Sequence, residues 1–346
     1  MLVVISIIAT LMSLILPAIQ NAREAGRRTQ CLNNIRNVTV AALNFASSNK
    51  SRLPALSYYV DDPSTTPLDS SIAGRSWVVE LLPYMDQQST YDRWNKDLAW
   101  NNATVPGPGG ETNNVLATTL YIDALACPND ESAFQIEGGL SYVANSGFGD
   151  SVAATSIHNF QDENFDWDVN NTPNEPADDN VTKDTGVFWT EFESIPNTRN
   201  ASATVGKIYD GTGNTLMFGE NVNAGNTSWA NPHFSSCSFI FPVVGGPAND
   251  GDLDKASNVT IGNLSGAIPA GTNPYINELK NGPEGAPHLN SRHPGIVVVS
   301  FCDGSAKTLS ENIDQNVYTS LITPSGTELR RITNWRAENP VSASDF

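Results

Sequence analysis

The sequence predicts an α+β fold in which one very long N-terminal helix lies against an antiparallel sheet. Three observations carry that expectation. Residues 1–16 (MLVVISIIATLMSLIL) hold no charge. Further on, apolar side chains fall at Leu32, Ile35, Val38, Ala42 and Phe45, the three-and-four spacing of one helix face. Near the other end, residues 296–302 (IVVVSFC) run into Asp303-Gly304 and resume at 305–309. Asp-Gly between two β-type runs is a strong hairpin signal, on the expectation that both turn residues take positive φ.

The first element is read as a single helix over residues 1–48. At ~1.5 Å per residue it would reach roughly 70 Å, far beyond the needs of an ordinary globular helix. Its membrane part is about residues 1–20, and its rear half packs on a globular domain at 49–346. Sixteen apolar residues fall short of the ~20 of a full span, but Ala18 and Ile19 extend the run past Pro17. No basic segment precedes the run, so a cleaved secretory signal of the usual form is not visible. By themselves, Arg23, Arg27 and Arg28 would hold the following body on the cytoplasmic side.

Charge is unevenly spread. The chain carries −18 overall, yet residues 1–52 set six basic groups against Glu24 alone, which leaves −23 on the remainder. A body so acidic repels phosphate backbones and excludes nucleic acid as a partner. Four cysteines (Cys31, Cys127, Cys237, Cys302) form no C-x-x-C pair, which argues against a thiolate zinc site. Outside the cytoplasm they could form one or two disulfides; three full pairings are open, as is a set of buried thiols.

Taken in order, residues 54–67 read as a loop, and residues 76–94 as a short helix interrupted near Pro83. Residues 113–126 read as a helix leading into a strand that ends at Cys127-Pro128. Residues 140–144 (LSYVA) read as a buried strand. Residues 158–184 hold eight acids against Lys183 and read as a solvated insertion. Strands are expected at 214–219, 237–243 and 296–302, and a short terminal helix at 317–322. Asp210-Gly211 marks a longer turn between residues 205–209 and the strand at 214.

No constellation points to catalysis. His293 and Asp303 could orient a general base, but about seven extended residues between them, at ~3.3 Å each, set them roughly 20 Å apart. They are read as structural marks at the two ends of one strand, with Arg292 pairing with a carboxylate such as Glu220. His158, His233, His288 and His293 lack the helical spacing of a metalloprotease pair. No Gly-x-Ser-x-Gly elbow or phosphate loop is present, so the chain is read as a non-enzyme without a cofactor. The cation to consider is calcium. Asp250, Asp252 and Asp254 match the first three ligand positions of an EF-hand loop, but Lys255 and Ile261 break the pattern and leave only a looser oxygen site, there or in the acidic loop at 162–179.

Several blocks together resemble a known family: residues 1–43, 76–84 (SWVVELLPY), Cys127-Pro128, 141–145 (SYVAN), 208–220 (IYDGTGNTLMFGE) and 291–313 (SRHPGIVVVSFCDGSAKTLSENI). The last carries a His-x9-Asp-Gly signature in His293, Asp303 and Gly304. The chain resembles the prepilin-like proteins with a DUF1559 domain, of the planctomycete type. The resemblance implies a type IV pilin-like helix in the inner membrane as a single pass, with a periplasmic or extracellular body. It implies a structural role in type II secretion or type IV pilus-like assembly, with homo- or hetero-oligomers formed by helix bundling. Family members begin with a Gly-Phe-Thr-Leu-x-Glu processing motif after a basic leader. Here the apolar run is already under way at Met1, which leaves two alternatives, a member that lacks processing or a start placed too late. The second is the expectation favoured, since a missing basic leader would offset Arg23, Arg27 and Arg28. The alternative function is a membrane-tethered binding module for polysaccharide or another extracellular ligand, with Phe160, Phe165 and Trp167 offered for stacking on sugars.

Overall fold

The computed structural model describes residues 2–60, 72–149, 185–192, 203–222, 224, 228–244, 260–261, 276–277 and 288–326. Helix α1 (Leu2–Ser48) is continuous through Pro17. Its two halves have opposite surroundings. Val3, Ile7, Leu11, Leu14 and the other large apolar residues as far as Ile19 are exposed, while Cys31, Ile35, Val38, Thr39, Ala41, Ala42 and Ala46 are buried. The buried stripe keeps the predicted periodicity, but its centre is rotated toward Cys31 and Ala46, leaving Leu32 and Phe45 on its flank. Burying side chains the size of Ile35 and Val38 stabilises by about 1.5–3 kcal/mol each, so hydrophobic packing holds this half down.

The body is built on a six-stranded sheet. Its strands are β3 (Tyr142–Gly149), β5 (Leu216–Glu220), β6 (Ser238–Val244), β7 (Thr260–Ile261), β8 (Ile296–Phe301) and β9 (Ala306–Ser310), in the order β7-β6-β3-β5-β8-β9. Most neighbours are antiparallel as expected; β3 and β6 are parallel, which the long connection between them permits. Helix α1 packs across β5, β8 and β9. Its Thr39 Oγ1 donates to the Ser300 Oγ of β8 at 2.7 Å, satisfying two buried hydroxyls at once. Asn145, in the middle of β3, donates to the carbonyls of Leu216 and Ile322 at 2.8 and 2.7 Å, so one buried amide ties the sheet to the terminal helix α6 (Gln315–Ile322).

A smaller sheet, β2-β1-β4, joins β1 (Ser57–Val60), β2 (Ile72–Ser76) and β4 (Glu191–Phe192). Strand β1 falls in the stretch read as loop; its SYYV sequence is strand-like, and the cross-chain partner that reveals it is distant. The interrupted helix is α2 (Trp77–Leu81), a 3-10 turn carrying Pro83, and α3 (Gln88–Arg93). Ser76 caps α2 by accepting from the Val78 N–H. Helix α4 (Asn113–Thr119) stops short of the strand expected after it; a 3-10 turn at Asp123–Leu125 stands there instead. Residues Val205–Lys207 are likewise a 3-10 turn, and one turn of helix, α5 (Phe234–Cys237), precedes β6.

The β8–β9 hairpin is present, with a different turn. Gly304 has φ 89°, but Asp303 does not take positive φ. The Gly304 N–H donates to the Phe301 carbonyl, so Cys302 and Asp303 form the centre of a type I-like turn and Gly304 supplies the left-handed residue after it. Asp303 accepts from the Ser305 N–H at 2.8 Å. Asp210, beside Gly211 (φ 96°), accepts from the Gly326 N–H at 2.5 Å and so also holds the chain beyond α6.

Candidate functional site

The site lies where α1 meets the body. Along the described helix, Glu24 is the first part-buried residue, and Arg27 and Asn34 follow it with contacts to the segment around Cys127. Asn34 donates to the carbonyls of Asp123 and Ala126, and Arg27 donates to Asn129 Oδ1 at 3.1 Å. Cys31 and Cys127 form a disulfide with a Cα–Cα distance of 4.9 Å, closing the alternatives left by sequence; Cys237 and Cys302 are buried free thiols.

His293 is the hub, and it is 1% exposed. The loop leading into β8 sets it: its N–H donates to Ser291 Oγ at 3.1 Å, and Gly295 turns the chain into the strand with φ 72°. Its Nδ1 lies 2.5 Å from Glu24 Oε1. Its Nε2 looks inward, 3.6 Å from Glu220 Oε1 and 3.6 Å from Cys127 Sγ. Glu220, at the end of β5, is held by one oxygen only: Oε2 accepts from Ser291 Oγ at 2.7 Å and from the Val298 N–H at 3.1 Å. Its Oε1 is buried without a hydrogen-bond partner. Burial pushes the Glu220 carboxyl up to about 8, against the lowering effect of those two donors.

A second carboxylate fixes the disulfide's other flank. Asp130 accepts from Ser141 Oγ at 2.7 Å, and that hydroxyl accepts from the Cys127 N–H at 3.0 Å. Burial raises the Asp130 carboxyl, and its bonds from Ser132 and Ser141 oppose the rise. The Tyr142 hydroxyl donates to the Cys31 carbonyl at 3.2 Å. Both sulfurs, Glu220 and His293 therefore offer four ligand-type atoms, all within 4.8 Å of one another.

Of the residues singled out in the sequence, Cys127 and His293 come together here. Asp303 and Gly304 stand at the far end of β8, and Asp210, beside Gly211, bonds to the segment that follows α6. The pairing of Arg292 with Glu220 is corrected: Arg292 is exposed, Glu220 is buried, and the imidazole of His293 faces the carboxylate instead. Sequence reasoning passed over Glu24, Asn129 and Asp130. Glu24 did carry a signal, as the one acid among the basic groups of the helix. Asp250, Asp252 and Asp254, and the acidic insertion at 158–184, lie outside the described residues.

These features define a class: an α+β body carried on a helix whose free half has the length and apolar character to cross a membrane. Within that class, the chain belongs to the family described as Protein of unknown function (DUF1559), whose model matches residues 20–316. No curated protein and no solved structure matches it.

Proposed function

We propose that this is a membrane-anchored, pilin- or pseudopilin-like structural protein of the cell envelope, with its body outside the cytoplasm. The observation that supports it most is the split character of α1. Residues 3–19 are predominantly apolar and exposed, while the continuous rear half is fastened to the body by packing, a disulfide and polar bonds. The polar side chains Thr10 and Ser13 donate to carbonyls of their own helix, which suits a hydrocarbon environment. A rigid coupling of this kind transmits load between an apolar bundle of helices and the acidic bodies around it. The reading is structural rather than catalytic, supported by the separation of His293 from Asp303 along β8 and by the burial of the His293 hub.

The test is vesicle flotation of the full chain, protease protection for sidedness, and immunogold labelling of native envelopes. The expected result is co-flotation, a body cleaved only from outside the cytoplasm, and labelled filaments. Ile8→Arg should release the chain, because an arginine at the centre of a span costs roughly 2.5–3.5 kcal/mol. A chain that stays in the soluble fraction would overturn the anchor; dispersed monomers retaining glycans would replace the filament role with ligand binding.

A further inference from the structure

We infer that Cys31, Cys127, Glu220 and His293 form a closed zinc-type metal site when the Cys31–Cys127 disulfide is reduced. Three observations converge. First, the separations suit one ion. Around tetrahedral zinc with bonds of about 2.0–2.3 Å, a thiolate and an imidazole nitrogen lie roughly 3.5 Å apart, and an imidazole nitrogen and a carboxylate oxygen roughly 3.4 Å. Here Cys127 Sγ to His293 Nε2 and His293 Nε2 to Glu220 Oε1 are both 3.6 Å. The sulfurs must part to roughly 3.8 Å on losing their bond.

Second, one ligand oxygen is waiting. Glu220 Oε1 is buried with no hydrogen-bond partner, while Oε2 is anchored by Ser291 and Val298, so the carboxylate presents a single, oriented atom. Third, the outer partner is the one a metal-bound histidine requires. With Nδ1–H donating to Glu24, Nε2 keeps its lone pair for the ion, the carboxylate–histidine–metal arrangement that fixes the tautomer and strengthens the ligand.

The chemistry balances as follows. A dithiol reductant gives two electrons and two protons to the disulfide and becomes a disulfide itself, leaving two thiols. The divalent ion then displaces the two thiol protons and the proton of the buried Glu220 carboxyl, all three passing to solvent, to form two metal–thiolate bonds and one metal–carboxylate bond. Oxidation by a disulfide donor reverses the sequence: the sulfurs rejoin, the ion leaves, and the donor departs as a dithiol. All four ligands are protein groups and all four residues are buried, so the ion would serve structure, joining α1 to the body before the disulfide replaces it.

Cobalt(II) is the probe. Full chain in detergent, reduced with a phosphine under anaerobic conditions, should bind one cobalt per chain, with thiolate charge-transfer bands in the near ultraviolet and intense visible bands of tetrahedral cobalt. The oxidised chain should bind none. Glu220→Gln and His293→Ala should weaken binding at least tenfold, and Glu24→Gln by about 10–100-fold. Zinc should raise the melting temperature of the reduced wild-type chain, a measurement that stands even if a variant fails to fold. A reduced wild-type chain without the charge-transfer bands, equal uptake by the oxidised chain, or folded Glu220 and His293 variants that bind as wild type would each overturn the assignment.

Discussion

His293 Nδ1 meets Glu24 Oε1 at 2.5 Å across 269 residues of sequence, and through that contact the loop before β8 grips the helix where it leaves the body. Asn129 Nδ2 lies 3.4 Å from the same oxygen, so the carboxylate is shared between the imidazole and the Cys127 segment. Glu24→Gln should cost about 1–2 kcal/mol, the range for a charged hydrogen bond discounted for partial exposure. His293→Ala should cost about 3 kcal/mol or more, since it also opens a cavity in a buried site. A double-mutant cycle by urea unfolding checks the pair, with a coupling energy of about 1 kcal/mol or more expected.

The disulfide closes a loop of 96 residues in sequence separation, long enough for a large entropic effect on the unfolded chain. Cys31→Ala with Cys127→Ala should lower stability by about 3–4 kcal/mol under chelating conditions. Cys237→Ala should cost less, since that thiol is a free core side chain. Urea midpoints of the oxidised wild type and both variants give the comparison.

Two glycines should respond with opposite sign. Gly147 has φ 77°, and an added Cβ would lie 2.5 Å from backbone atoms of Thr185 and Gly186, so Gly147→Ala should cost about 3 kcal/mol or more. Gly26 sits within α1 with open space around its Cβ position, so Gly26→Ala should stabilise by about 0.5–1 kcal/mol. Thermal unfolding of the two variants side by side is sufficient.

Acid should loosen the body through His288. Burial lowers its pKa from the ordinary 6.5 to about 4, so between those values the unfolded chain binds the proton and the folded chain does not. Its contribution is complete above pH 6.5 and is lost as the pH falls toward 4, on the order of 3 kcal/mol at roughly 1.4 kcal/mol per unit. Glu220, raised to about 8, acts with the opposite sign over an overlapping range. The readout is therefore the difference between His288→Gln and wild type at each pH: the variant should show a flatter acid limb.

Much of the frame was legible because it is local. The period of residues 31–46 specified a helix face, Asp303-Gly304 specified a hairpin, and Pro83 specified a broken helix. Errors fell where a partner decides the outcome. Strand β1 exists because β2 and β4 flank it, and the stretch after α4 is no strand because its neighbours are the helix α1 and Ser141 rather than a free sheet edge. The hairpin's turn type depended on how Cys302 is held, its N–H donating to the Thr215 carbonyl.

By itself, then, the sequence determined the long helix with its apolar front, the acidic body, the β8–β9 hairpin and the family. Those are properties of neighbours in the chain: periodicity, charge and turn chemistry. Only the tertiary structure decided that Cys31 pairs with Cys127, and that His293 stands between Glu24 and Glu220 rather than leaving Glu220 to Arg292. These groups are brought together by sheet order and by the rotation of α1 on its bed. No spacing along the chain encodes an encounter between β5, the loop before β8 and a helix more than a hundred residues upstream of both.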